Sequence, residues 1–199
     1  MVNTIIVDFA GVVTKSAIFP RVAEVLGQKS GIGKGAFLQR LKSKEKWILL
    51  GELPMEEYWK NVCRGTDISY EEFIKEISWY EINDETLNLL KKLKRKYEVV
   101  LLTDNYDALY KKIIADKRLK NVFHHAFYSN KIHLVKMDEG EKVFQYVLKK
   151  IGAKAENCVF IDDKETNLEP ARNLGIRGIQ FKNLEQVKRE LAILGIATN

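Results

Sequence analysis

The stretch TIIVDFAGVV, residues 4–13, runs four β-branched residues into a lone carboxylate at Asp8 and turns at Ala10-Gly11. A short apolar run bounded by a turn reads as a strand buried on both faces. The same pattern recurs in YEVVLLT (97–103), VFHHAFYS (122–129), CVFID (158–162) and IRGIQF (176–181). Helical segments separate these runs. Residues 84–96 place Leu87, Leu90 and Leu93 on one side, and 106–118 forms a second helix. A third helix carries Val143, Phe144, Val147, Leu148 and Ile151, with Asp138 as its expected cap and Gly152 at its end. A short helix over 167–174 has Pro170 in its first turn, and a last helix lies near 183–193. Strands alternating with helices predict a parallel sheet covered on both faces.

Residues 15–80 follow a different rule. Met55, Tyr58, Trp59 and Val62 keep helical spacing, as do Phe73, Ile74, Ile77 and Trp79, and no strand is evident. The first strand belongs to the sheet, so this stretch is an insertion made after it. The expected organisation is an α/β, Rossmann-like three-layer core (1–14 and 81–199) with an α-helical cap (15–80). Trp47, Tyr58, Trp59, Trp79 and Tyr80 are expected in the cap's own core. The segment GQKSGIGKG (27–35) fails the phosphate-loop pattern at Gln28 and Gly35 and reads as a turn between helices.

A chain of 199 residues, 46% hydrophobic and 30% charged, can bury one good core. No apolar run is long enough to span a bilayer. Cys63 and Cys158 lie far apart, and with no secretory signal evident they are expected as free thiols of a cytoplasmic protein. The net charge of +6 is spread over helical faces among glutamates, so no nucleic-acid partner is expected. The oligomeric state is expected to be monomer or homodimer. His124 and His125 point to opposite faces of one strand and, like His133, read as structural.

In an open parallel sheet, ligands bind beyond the carboxyl ends of the strands. Those ends carry Asp8, the Thr103-Asp104-Asn105 run and the Asp162-Asp163 pair, and the loop after the third strand carries Lys136 in SNKIHLVKMDEG. Carboxylates hold Mg²⁺, which favours a phosphate as a further ligand. A hydroxyl and an ammonium bind phosphate oxygens.

VDFAGVV (7–13), LLTDN (101–105), Lys136 in VKMDEGEKVF and CVFIDDKETNLEPARNLG (158–175) together resemble the four motifs of the haloacid dehalogenase (HAD) superfamily. The resemblance covers the whole chain in order, with the insertion where helical-cap members carry theirs. It is closest to the branch holding the soluble epoxide hydrolase phosphatase domain and bacterial sugar phosphatases. It implies a Mg²⁺-dependent phosphatase of a small phosphorylated metabolite, with Asp8 as nucleophile and an aspartyl-phosphate intermediate. It further implies that Asp8, the Ala10 carbonyl and Asp163 hold the metal. Thr103, Asp104, Gly11 and Lys136 would meet the phosphate, and Asp162 and Asn167 would support them.

One position departs from the family. Its phosphatases usually carry an aspartate two residues after the nucleophile as general acid and base, and here that residue is Ala10. Losing such help costs about 10²–10⁴-fold in rate. Three readings stay open. A phosphatase working without that group would favour acyl, aryl or anomeric phosphates. A phosphonoacetaldehyde hydrolase-like enzyme, which shares Asp-x-Ala-Gly, would need a Schiff-base lysine among Lys34, Lys42, Lys44, Lys46 and Lys60. A non-catalytic relative would only bind Mg²⁺ and a phosphorylated ligand. The paired Asp162-Asp163 argues against a dehalogenase proper.

Overall fold

A computed structural model describes residues 1–198, with the side chains of Asp138 and Glu139 outside the description. Among the described residues five strands form one parallel sheet: β1 (Thr4–Val7), β2 (Glu98–Thr103), β3 (His125–Tyr128), β4 (Cys158–Asp162) and β5 (Arg177–Gln180), in the order β3-β2-β1-β4-β5. This is the Rossmann-like α/β architecture expected from the alternation. β1 is central, pairing Val7 with Leu101 of β2 and Val7 with Ile161 of β4. That register brings Asp8, Leu102 and Asp162 level, one step beyond.

Strand residues alternate between two apolar layers. Ile5, Val7, Val99, Leu101, Val159 and Ile161 face one layer. Ile6, Val100, Leu102, Cys158 and Phe160 face the other. Each fully buried side chain of this size contributes about 1.5–3 kcal/mol, so both faces hold the sheet firmly.

Five helices lie between β1 and the rest of the sheet: α1 (Ile18–Lys29), α2 (Lys34–Ser43), α3 (Glu45–Leu49), α4 (Met55–Val62) and α5 (Tyr70–Ile77). Gly33 has φ 85° and Gly27 packs against its carbonyl, which gives the tight turn expected between α1 and α2. Ser69 caps α5 by accepting from the Glu72 amide, with the serine–glutamate spacing of a capping box. The insertion's two ends are paired. Thr14 bridges Ile82 antiparallel, the Lys15 amide donates to the Glu81 carbonyl at 2.9 Å, and the Asn83 amide donates to Val13 at 2.9 Å.

The remaining helices are α6 (Asp84–Leu93), α7 (Asp107–Ala115), α8 (Ser129–Ile132), α9 (Lys136–Glu139), α10 (Glu141–Ile151), α11 (Glu165–Asn173) and α12 (Leu184–Ile193). Several expectations need correcting. Pro170 is in the interior of α11, which starts at Glu165, earlier than expected. Asp138 lies in α9, apart from the helix it was expected to cap; its side chain is outside the described residues, and Gly140 occupies the cap position. The third strand starts at His125 because Asn121, at φ 63°, turns the chain before it. Trp47 and Trp79 are 47% and 43% exposed rather than buried in the insertion; Trp79 instead stacks under the Arg21 guanidinium at 4.4 Å. No described helix is long and apolar enough to cross a membrane.

Candidate active site

The loop after β1 is drawn tight around one carbonyl. The amides of Val12, Val13 and Thr14 all point at the Phe9 oxygen, at 3.4, 2.9 and 3.0 Å. Gly11 completes the turn at φ 82°, a conformation that favours glycine. A Cβ there would stand 2.5 Å from Asp163 Oδ2, so the loops after β1 and β4 touch at this point. The Gly11 amide, expected to meet phosphate, donates to Thr14 Oγ1 at 3.0 Å, so its part here is the turn itself.

Asp8 and Lys136 meet although 128 residues separate them. Lys136 Nζ donates to Asp8 Oδ1 at 2.7 Å and to Asp162 Oδ2 at 2.9 Å, and it lies 5.5 Å from the Phe160 ring centroid. Its backbone amide donates to both oxygens of Asp104, at 3.1 and 3.2 Å. Asp104 therefore anchors the start of α9 and does not cap α7, whose cap position is Tyr106.

Asp162 is saturated with donors. Besides Lys136 it accepts from Asn167 Nδ2 at 3.0 and 2.9 Å and from the Lys164 amide at 2.8 Å. Asp163 differs: its Oδ1 is buried and has no partner among the described residues. The Thr103 hydroxyl is likewise buried and unpartnered. Buried polar atoms are nearly always bonded, so two orphans at one sheet edge signal ligand atoms. Ligand oxygens of Asp8, Asp162 and Asp163 lie within 4.8 Å of one another. Donor type and spacing fit a hard divalent cation at Asp163 and Asp8.

The electrostatics follow from burial. Burial pushes the Asp8 carboxyl up to about 7, against the pull of Lys136 and with a further rise from Asp162. Asp163 is raised by burial and by Asp162 beside it. Burial also acts on Asp162, yet Lys136 outweighs it and holds that carboxyl below its ordinary value. Lys136 pays a burial penalty of its own, but Asp162, Asp8 and Asp104 more than offset it and keep it charged.

The sequence-predicted residues Asp8, Thr103, Asp104, Lys136, Asp162, Asp163 and Asn167 thus gather at the carboxyl edge of β1, β2 and β4. Two further polar residues lie in the same region, Asn105 of the Thr103-Asp104-Asn105 run and Ser129, which no motif marked. Asn105 is buried with both side-chain polar atoms unpartnered. Ser129 donates to the Leu49 carbonyl at 2.7 Å and accepts from the Asn105 amide at 2.9 Å, which joins the insertion to the core. His133 adds a second tie, its Nδ1 donating to the Leu50 carbonyl at 2.7 Å. That contact fits its structural reading, as does the bond from the Val99 amide to His124 Nδ1 at 3.1 Å.

Residues 2–175 match the haloacid dehalogenase-like hydrolase family, and the chain belongs to it. Among solved structures it is similar to a HAD family enzyme of Bacteroides thetaiotaomicron in complex with magnesium and inorganic phosphate. The two share 20% identity over 92% of this chain and 95% of that one, with TM-score 0.73. A HAD-like hydrolase of Porphyromonas gingivalis aligns with TM-score 0.78 and 18% identity, over 96% and 98%. The L-2-haloacid dehalogenase of Xanthobacter autotrophicus aligns with TM-score 0.68 and 14% identity, over 99% and 85%. At these identities the likeness is one of fold. Two curated relatives match over short segments. Drimenol cyclase of Aspergillus calidoustus is 44% identical over 48 residues, and the chloroplastic flavin mononucleotide hydrolase 1 of Arabidopsis thaliana is 37% identical over 46. The matches cover 24% and 23% of this chain, and only 9% and 19% of those proteins' lengths.

Proposed function

We propose that the chain is a Mg²⁺-dependent phosphatase of a small phosphorylated metabolite, working through an aspartyl-phosphate on Asp8. The observation that carries this reading is Asp8, held 2.7 Å from a buried lysine, on the same sheet edge as the unpartnered Thr103 Oγ1 and Asp163 Oδ1. A phosphate oxygen would satisfy the first orphan and a cation the second.

Asp163, Asp8 and the Ala10 carbonyl would hold Mg²⁺. When bound, Mg²⁺ would offset carboxylate and phosphate charge and favour the ionised Asp8 that attack requires. An Asp8 oxygen then bonds to phosphorus as the bond to the leaving oxygen breaks. Water next attacks the same phosphorus, releasing phosphate and restoring the carboxylate. Thr103, the Asp104 amide and Lys136 steady the transferring oxygens, while Asp162 and Asn167 hold Lys136 in place. Residues 15–80 act as a cap over the core 1–14 and 81–199, moving about the paired segments next to Thr14 and Ile82. The magnesium and phosphate bound by the Bacteroides relative support the ligand choice. Cys63 and Cys158 are free and buried, which suits a reducing cytoplasm.

The Schiff-base alternative finds little support, since Lys34, Lys42, Lys44 and Lys60 are exposed and Lys46 half-buried, where such a lysine works from a desolvated pocket. The test is Mg²⁺-dependent hydrolysis of p-nitrophenyl phosphate by wild type and Asp8→Asn. Turnover that vanishes in Asp8→Asn supports the aspartyl-phosphate route. No turnover by wild type overturns it and favours a module that only binds Mg²⁺ and phosphate.

A further inference from the structure

Glu45 is the first residue of α3, in the insertion. The core-facing side of that short helix is fixed by its other end, where Ile48 and Leu49 are buried and the Leu49 carbonyl bonds Ser129. Glu45 stands three and four residues earlier, on the same face. It is half-buried, and the charges around it come from Lys42 on α2, Lys164 after β4 and Asp104 after β2. The phenols of Tyr58 on α4 and Tyr106 after β2 sense it as well. Those neighbours place Glu45 on the side of α3 that faces the loops after β2 and β4.

Its lack of a partner is distinctive. The other half-buried glutamates of the insertion are all paired: Glu24 with Lys34, Glu72 with Lys29 and Glu76 with Arg21. Glu45 has no hydrogen bond or ion pair among the described residues. Two lysines stand near and neither closes on it. Burial raises its pKa, with Lys164 and Lys42 opposing and Asp104 adding to the rise, which favours a carboxyl that can carry a proton.

Resting on the phosphatase reading above, we propose that Glu45 supplies from the cap the general acid and base that Ala10 cannot supply from the core. As the phosphorus–oxygen bond of the substrate breaks and the Asp8–phosphorus bond forms, the Glu45 carboxyl gives its proton to the leaving oxygen. An alcohol and the Glu45 carboxylate result. In the second step the carboxylate takes a proton from the attacking water as the Asp8–phosphorus bond breaks, returning to the acid. The assignment also ties chemistry to cap position, because the proton donor arrives only with α3 over the site. The leaving-group restriction expected from Ala10 then belongs to an enzyme without Glu45.

The experiment compares kcat/KM for β-glycerol phosphate, whose alkoxide leaves poorly unprotonated, with that for p-nitrophenyl phosphate, across pH, in wild type, Glu45→Gln and Asp8→Asn. In Glu45→Gln the alkyl-to-aryl ratio of kcat/KM should fall by about 10²–10⁴-fold, a ratio that does not depend on how much protein is folded. The decline of the alkyl rate toward high pH, where the acid is lost, should disappear in the same variant. An unchanged ratio and pH profile in Glu45→Gln, with Asp8→Asn inactive, overturns the Glu45 role and leaves the phosphatase reading standing. A wild type confined to the aryl ester also overturns that role alone. A wild type active on neither ester overturns both.

Discussion

Lys136 Nζ and Asp162 Oδ2 lie 2.9 Å apart with side chains 1% and 0% exposed, so this ion pair is shielded from water. Asp8 shares the same ammonium at 2.7 Å. Removing one partner of a buried pair strands the other charge, at a cost of about 3–5 kcal/mol. Lys136→Met should therefore lower stability in urea titrations by that amount at pH 8 without added cation. The penalty should shrink as pH falls, because Asp8 and Asp104, already raised by burial, escape it by taking up protons. Adding Asp162→Asn to the variant should recover part of the loss.

Gly11 offers a separate test. At φ 82°, with Asp163 Oδ2 only 2.5 Å from where a Cβ would stand, Gly11→Ala strains the turn and displaces the carboxylate across it. The left-handed backbone alone costs about 1–2 kcal/mol. The expected outcome is a modest fall in melting temperature with a larger loss of Mg²⁺ affinity, read by calorimetric titration. A lower melting temperature with unchanged Mg²⁺ affinity would show that Asp163 had not moved.

One of the ties between insertion and core rests on a single hydroxyl. Ser129 Oγ has a single hydrogen, which the 2.7 Å contact assigns to the Leu49 carbonyl, leaving its lone pair to the Asn105 amide. Ser129→Ala strands a buried N–H and a buried C=O, at about 1–3 kcal/mol for each unpaired group. Hydrogen exchange should speed up at Asn105 and in α3 well before β1 is affected.

How much of this was legible in the sequence follows from where each residue's information lies. The central strands β1, β2 and β4 announced themselves because parallel strands buried on both faces are unbroken apolar runs, and Asp8, Thr103 and Asp162 mark their ends. The edge strands β3 and β5, with His125 and Arg177 exposed, were placed by the alternation of strand and helix. Lys136 could be placed by motif, but its bond to Asp8 spans 128 residues and exists only once β1, β2 and β4 are side by side. Glu45 and Ser129 carried no signal. Ser129 acts through its bond to Leu49 of the insertion, the place of Glu45 depends on where α3 lies against the core, and helical periodicity describes an element's face without saying what that face meets. Pro170 misled for a related reason: a proline suits a first turn, but α11 starts earlier, at Glu165 just after Lys164, whose amide Asp162 receives.

Asp116 makes the last prediction. Arg118 donates to it through Nε and Nη2 and through its backbone amide, and the Tyr80 hydroxyl donates at 3.0 Å. Arg118's side-chain bonds, with those other donors, hold the carboxyl down at about 2 from an ordinary 3.8. The ionised form is favoured in the folded chain, so its contribution is complete above about pH 4 and is lost as pH falls toward 2. Tyr80 closes the insertion and sets its ring edge-on to Phe9, 5.1 Å between centroids, beside Asp8. Asp116→Asn should destabilise by about 1 kcal/mol at pH 7, the scale of a partly exposed pair. At pH 2 to 3 wild type and variant should converge in thermal melts, and a gap that persists at that pH would mean the carboxylate's charge is not what holds Tyr80.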